Sequence, residues 1–216
     1  MFLLKLYIFA IDASKAFDKV NRTYLWHKII DKLPDHLTRA IMVYYDKSLA
    51  MVTNNGEYSR MFKTTIGVKQ GGPLSPRLFA IYLEDLVNSI DQLNLGVKVG
   101  KMLINIVLYA DDILLMAESS DDLQTLANTT MEFGEKWQIK YNPSKTVLMA
   151  FGMPKKDKNK AIKVEFEKQQ IKRVNTVKYL GVQINDQLSN SSHLDNRRMS
   201  TFATLGAIKK NILNLK

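Results

Sequence analysis

The segment LYADDILLM, residues 108–116, sets Asp111 and Asp112 side by side inside an apolar run. A buried carboxylate without a partner costs several kcal/mol or takes up a proton. A continuous buried strand through this segment would need something cationic against the pair. The run reads as two strands with the aspartates between them, and the acidic pair meets either water at a turn or a cation. Residues 4–12, LKLYIFAID, form a second strongly apolar run that also ends on an aspartate, Asp12. On the dipeptide alone an ordinary solvent-facing turn accounts for Asp111 and Asp112. The recurrence at Asp12 points to chemistry.

The surrounding pattern specifies an α+β chain with an antiparallel sheet backed by helices. Residues 4–12 read as a buried strand. Residues 22–32 and 35–50 read as helices, the second opened by Pro34. Asn55-Gly56, between 51–54 and 58–66, is a hairpin signal. A loop punctuated by glycine and proline, GVKQGGPLSP, covers 67–76. Leu78, Tyr82, Leu83, Leu86, Val87 and Ile90 then recur at helical spacing. Residues 102–108 and 113–117 read as strands. A helix capped by Ser119 or Ser120 runs to about 138, its inward stripe Leu123, Leu126, Ala127, Thr130, Phe133 and Trp137. Residues 145–151 read as a strand, followed by short strands near 162–166, 171–174 and 177–184. Residues 193–215 read as an amphipathic helix.

Charge is distributed unevenly. Residues 1–153 hold 17 basic and 16 acidic side chains, whereas residues 154–216 hold 14 and 5. One end is thus suited to grip a polyanion and the other to perform chemistry; the run KKDKNKAIK alone also reads as a solvated lysine loop. The chain has no cysteine, and its histidines lack ligand spacing, so disulfides and cysteine-based zinc sites are excluded. The apolar start is interrupted by Lys5 and reads as a strand rather than a signal peptide. No apolar run is long enough to span a membrane. An intracellular setting, nucleus or cytoplasm, is expected.

If the strand ending at Asp12 lies beside the 106–116 hairpin, three carboxylates converge at one end of a sheet. Unassisted, they would repel one another. Mg²⁺ takes hard oxygen ligands and keeps positions for water and phosphate. Two such ions clamp the attacking and leaving oxygens of a phosphoryl transfer.

These segments, in this order, resemble the palm of reverse transcriptases. FAIDASKAFDKV resembles motif A, GVKQGGPLSPRLFAIYLEDL motif B, YADD motif C, NPSKTVLMAF motif D, and VKYLGVQIN motif E, the primer grip. The wording is most similar to non-LTR, LINE-type retrotransposons. The resemblance implies an RNA-directed DNA polymerase using two Mg²⁺ ions, or Mn²⁺, with an RNA template, a DNA primer and dNTPs as partners. It implies that Asp12, Asp111 and Asp112 are catalytic metal ligands and that the Ala13 carbonyl completes the shell. Phe17 matches the aromatic gate against a ribose 2′-hydroxyl, although a plain core phenylalanine reads equally from the residues alone. Gln70 and Gly71 would line the nascent base pair, and Tyr109 would lie near the primer end. Lys145 matches the motif D lysine that serves the leaving pyrophosphate. Tyr179, Leu180 and Gly181 would form the primer-grip turn.

The resemblance places a palm at 1–185 and the start of a thumb or connection helix at 186–216. It opens inside the motif A strand, so a palm without the fingers is expected. Two rival expectations stand beside the polymerase: a truncated, catalytically inactive nucleic-acid-binding remnant, and a fragment of a group II intron-type maturase.

Overall fold

The computed structural model describes residues 5–153, 162–189, 194–195 and 197–205. Four strands lie at its centre: β1 (Leu6–Asp12), β8 (Ile106–Tyr109), β9 (Asp112–Ala117) and β10 (Val147–Phe151). They form an antiparallel sheet in the order β10-β1-β9-β8. Registers pair Phe9 with Leu115 and Leu148, and Ile8 with Met116 and Met149. Successive side chains of a strand point to opposite faces, so the sheet has two distinct sides.

One side carries Phe9, Ile11, Ile113, Leu115, Leu148 and Ala150 into the main core. Two helices supply much of the cover, α4 (Ser75–Gln92) and α5 (Ser120–Trp137). Leu78, Phe79, Tyr82, Leu83, Leu86 and Ile90 of α4 are buried, as are Leu123, Leu126, Ala127, Thr130 and Phe133 of α5. Val87 and Trp137 are only half-buried. Ser119 caps α5 by accepting the Asp122 amide at 3.0 Å, with Asp121 and Asp122 in the favourable first turn.

Between β1 and α4 lie three helices, α1 (Ala16–Lys19), α2 (Arg22–Ile30) and α3 (Asp35–Asp46). Pro34 stands at the N-cap of α3. An arm of short strands follows: β2 (Leu49–Ala50), β3 (Thr53–Asn54), β4 (Glu57–Tyr58) and β5 (Phe62–Lys63). Asn55 and Gly56 both take positive φ at its tip, as a two-residue hairpin loop requires.

The other side of the central sheet holds a smaller cluster, Ile8, Leu114, Met149 and Phe151. A hairpin of β13 (Thr176–Tyr179) and β14 (Val182–Asn185) packs on it through Val177, Tyr179 and Ile184. The remaining strands form two separate hairpins, β6 (Val97–Val99) with β7 (Met102–Ile104), and β11 (Glu165–Phe166) with β12 (Gln169–Gln170).

The expected strand 102–108 is corrected to two strands separated at Asn105. That residue is buried, donates its side-chain amide to Asp91 at 3.0 Å, and accepts the Met116 amide on its carbonyl. Its backbone thus still bonds to β9, while its side chain ties the junction of β7 and β8 to the end of α4. The expected strand near 171–174 reduces to a single bridge between Leu148 and Arg173. Residues 194–195 and 197–205 are helical and exposed; the rest of the expected helix lies outside the described residues. Among the described residues no helix is long and apolar enough to cross a membrane.

Candidate active site

The pairing of β1 with β9 sets Asp12 directly opposite Asp112, and the pairing of β8 with β9 sets Tyr109 opposite the same residue. Asp12, Asp112 and Tyr109 therefore share the face that carries the smaller cluster. Ala10 and Leu114 lead toward them on that face, but the β13–β14 hairpin covers only the far part. The carboxylate end stays open: Asp112 and Tyr109 are exposed and Asp12 is half-exposed.

Asp111 is the second residue of the two-residue turn joining β8 to β9. Its predecessor Ala110 takes a φ of 54°, a conformation that costs a residue bearing a Cβ. The turn thereby ends pairing at Tyr109 and delivers two consecutive acids to the sheet end. Asp112 has its carboxyl held above the usual carboxylate range, first by partial desolvation and then by the charges of Asp111 and Asp12.

Among the described residues no ion pair or side-chain hydrogen bond reaches the carboxylates of Asp12, Asp111 or Asp112. Among the described residues no three acidic or imidazole side chains stand close enough together to hold a metal ion. The donor set is nonetheless what a hard divalent cation takes: three uncompensated carboxylates at an open sheet end. Ala13, whose carbonyl the resemblance adds to the shell, is buried at the end of β1. Around it, the Ser14 amide donates to the Lys140 carbonyl and the Asn142 amide to the Asp12 carbonyl, and Ala13 itself accepts neither bond.

These two bonds dock residues 140–146 onto the end of β1. Thr146 reinforces the junction: its Oγ1 accepts the Asp12 amide at 3.4 Å and donates to the Asn142 carbonyl at 2.9 Å. Lys145 is exposed on this loop, adjacent in sequence to the residue that touches Asp12.

Phe17 lies in α1 and stacks on Phe79 of α4, ring centroids 4.7 Å apart and planes within 20°. The ring is half-buried, so it serves the core on one side and the surface on the other. Gln70 is exposed and donates Nε2 to Asp18 at 3.0 Å. Gly71 takes a φ of 76° with open space about it. Tyr179, Leu180 and Gly181 form the tip of the β13–β14 hairpin, where Leu180 and Gly181 both have positive φ. Burial first, and then the charge of Asp112, raise the Tyr179 hydroxyl above its ordinary pKa. That hydroxyl is buried and has no hydrogen-bond partner among the described residues. The Arg197 guanidinium stands beside the same tip, 3.8 Å from where a Cβ on Gly181 would lie.

The sequence pattern of the family described as reverse transcriptase (RNA-dependent DNA polymerase) matches residues 4–184. The chain belongs to this family. A Pol polyprotein of the type-2 retrotransposable element R2DM of Drosophila melanogaster is 29% identical to this reverse transcriptase domain over 183 residues, covering 82% of this chain and 17% of that protein. A Pol polyprotein of a retrotransposable element R2 of Nasonia vitripennis is 32% identical over 193 residues, covering 83% and 18%. The chain therefore spans about a fifth of the length of these curated relatives, and their names support a non-LTR reverse transcriptase domain. Among solved structures, apo telomerase of Candida tropicalis superposes with a TM-score of 0.61 at 17% identity, covering 87% of this chain and 35% of that one. That likeness establishes the fold, a polymerase palm. Reverse transcriptases generally use divalent metal ions.

Sequence reasoning placed the carboxylates and the loops of this reverse transcriptase domain but passed over Arg22, Asn142 and Thr146. Arg22 sits after the N-cap Asn21 and reads from its position as a polar surface residue. It is in fact buried, 8% exposed. Asn142 and Thr146 lie inside the NPSKT stretch, whose only chemically distinctive member is Lys145.

Proposed function

We propose that this chain is the catalytic palm of an RNA-directed DNA polymerase that joins a dNTP to a primer 3′-hydroxyl on an RNA template. The observation that carries the reading is the register of Asp12 opposite Asp112, with Asp111 at the adjoining tip and, among the described residues, no protein cation against any of the three. Asp12 and Asp111 would hold two Mg²⁺ ions, with Asp112 and the Ala13 carbonyl completing the ligand set. Bound there, two divalent ions supply charge stabilisation at the attacking and leaving oxygens.

The chain's own residues do the positioning. The open face beside Tyr109 offers a floor for the primer end. Gln70 and Gly71 sit on the loop before α4, suited to the nascent pair, and Phe17 presents an apolar edge that leaves a 2′-hydroxyl without a partner. Lys145, on the loop docked to Asp12, supplies a cation or proton for the departing pyrophosphate. The tip Tyr179–Gly181 faces the primer strand, and the basic helix containing Arg197 begins a thumb that holds duplex phosphates. Residues 1–185 would form the palm and 186–216 that beginning.

Primer extension on an RNA template with Mg²⁺ and labelled dNTPs tests the reading, using the chain beside its Asp111→Asn, Asp112→Asn double variant. Incorporation lost in the variant is the expected result. Salt-sensitive duplex binding without incorporation by either would replace the enzyme with a nucleic-acid-binding remnant.

A further inference from the structure

Arg22 is a buried guanidinium that no carboxylate neutralises through a hydrogen bond or ion pair among the described residues. Its Nε donates to the Gly67 carbonyl at 2.8 Å. Nη1 donates to the carbonyls of Tyr45 at 3.1 Å and Thr64 at 2.5 Å, and Nη2 to Thr64 Oγ1 at 3.0 Å. The group also lies over the Tyr45 ring, 5.1 Å from its centroid. The nearby Asp46 is instead bonded to Lys63 at 2.6 Å. Burial accordingly lowers the Arg22 pKa. Placing a cation there is costly, and the structure accepts that cost to bind main-chain carbonyls and one hydroxyl.

Those acceptors come from three segments: the end of α3, the base of the β2–β5 arm, and the loop that carries Gln70. The same loop is fastened directly to the stretch holding Phe17. The Gly67 amide donates to the Val20 carbonyl and the Val68 amide to the Phe17 carbonyl, both at 2.8 Å. Gly67 fits only because it lacks a side chain: its φ is 79°, and a Cβ would stand 2.7 Å from the Asp18 carbonyl oxygen. Gln70 closes the seam by its bond to Asp18.

We infer that Arg22 is a positioning residue for nucleotide selection: it locks the loop 64–70 against residues 17–20, so that Phe17 and Gln70 act as one preformed nucleotide face. The inference rests on the polymerase reading for what the face selects. A planar fork is needed because the acceptors lie in different directions around one centre, and an ammonium group cannot span them. Arg22 does not touch the carboxylate end; its effect passes through the loop backbone. A loosened loop changes how well a nucleotide is held and how sharply a 2′-hydroxyl is refused, and leaves the metal ligands in place.

The test is hydrogen exchange on the full chain with Arg22→Lys, joined to primer extension with dNTPs and rNTPs. Losing hydrogen bonds from a charged donor should speed exchange at the Gly67 and Val68 amides about tenfold. Amides of Ile113 and Leu115 should keep wild-type protection. The KM for dNTP should rise about tenfold with kcat changed less than about twofold, and the preference for dNTP over rNTP should fall. Wild-type protection at Gly67 and Val68 overturns the inference. Loss of protection spread equally over β1 and β9 also overturns it, because Arg22 would then serve only global stability. If Arg22→Lys does not fold, Thr64→Val removes one acceptor and should give a smaller shift confined to the same loop. If the wild-type chain incorporates nothing, the polymerase reading fails while the exchange result still decides whether Arg22 holds the loop.

Discussion

Asp12 and Asp112 face each other across two adjacent antiparallel strands, on the side of the sheet that the helices do not cover. Like charges directly opposite in a sheet are destabilising, and no cation among the described residues relieves this pair. Asp112→Asn should therefore raise the melting temperature of the metal-free chain by about 1–3 °C, the shift of a modest relief of repulsion in a domain of this size. Added Mg²⁺ should stabilise the wild type more than the variant, which keeps Asp12 and Asp111 but has lost the residue that completes the ligand set. Differential scanning fluorimetry with and without Mg²⁺ checks both. A variant that melts lower than wild type without metal would mean that the pair is not under repulsion.

Phe17→Val removes a ring stacked on Phe79 and half-buried at the edge of the core. The expected cost is about 1–2 kcal/mol in urea unfolding, well below that of a fully buried aromatic. Its functional signature is a lower dNTP/rNTP discrimination ratio in primer extension. An unchanged ratio would return the ring to a purely structural role.

Tyr179→Phe removes a buried hydroxyl that has no partner among the described residues. Deleting an unsatisfied polar atom should leave the melting temperature unchanged or slightly higher, whereas deleting a bonded one costs about 1 kcal/mol. Affinity for a primer–template should fall in the same variant, measured by fluorescence anisotropy. A clear loss of stability would show that the hydroxyl is already satisfied in the free chain.

Arg197 stands against the Gly181 end of the hairpin tip, and Arg198 follows it on the exposed helix. Arg197→Gln with Arg198→Gln should weaken duplex binding for every sequence alike. The slope of log affinity against log salt should become shallower by about 2, one for each phosphate that the helix no longer neutralises. An unchanged slope would remove this helix from the nucleic-acid path.

Much of this architecture is legible in the sequence because periodicity and turn chemistry report directly on buried faces. The α5 stripe from Leu123 to Phe133 and the Asn55-Gly56 tip appear where the pattern puts them. What stayed hidden was polar burial. Asn105 interrupts an apolar run that looks continuous, because its side chain finds Asp91 across the fold. Arg22 looks like solvent-facing helix until the carbonyls of Tyr45, Thr64 and Gly67 are seen around it. Both depend on partners 14 to 45 residues away, which local pattern does not report. At the candidate site, Asp12 and Asp112 are foreseeable as strand ends. Their direct opposition depends on a register that only long-range pairing sets.

The alternation along β9 has a consequence for how a drifting gene copy would decay. Ile113 and Leu115 serve the core while Asp112 and Leu114 serve the other face. Loss of a single codon within β9 would exchange these duties on one side of the gap, turning an acid inward or a core leucine outward. Such a copy would forfeit fold and chemistry in one event, with no intermediate that stays folded but has merely lost its acids. Point substitutions at Asp111 or Asp112 do the reverse, silencing the chemistry and sparing the scaffold. The two routes leave different molecules behind, one degraded on synthesis and one that persists as a folded body still carrying its basic C-terminal end.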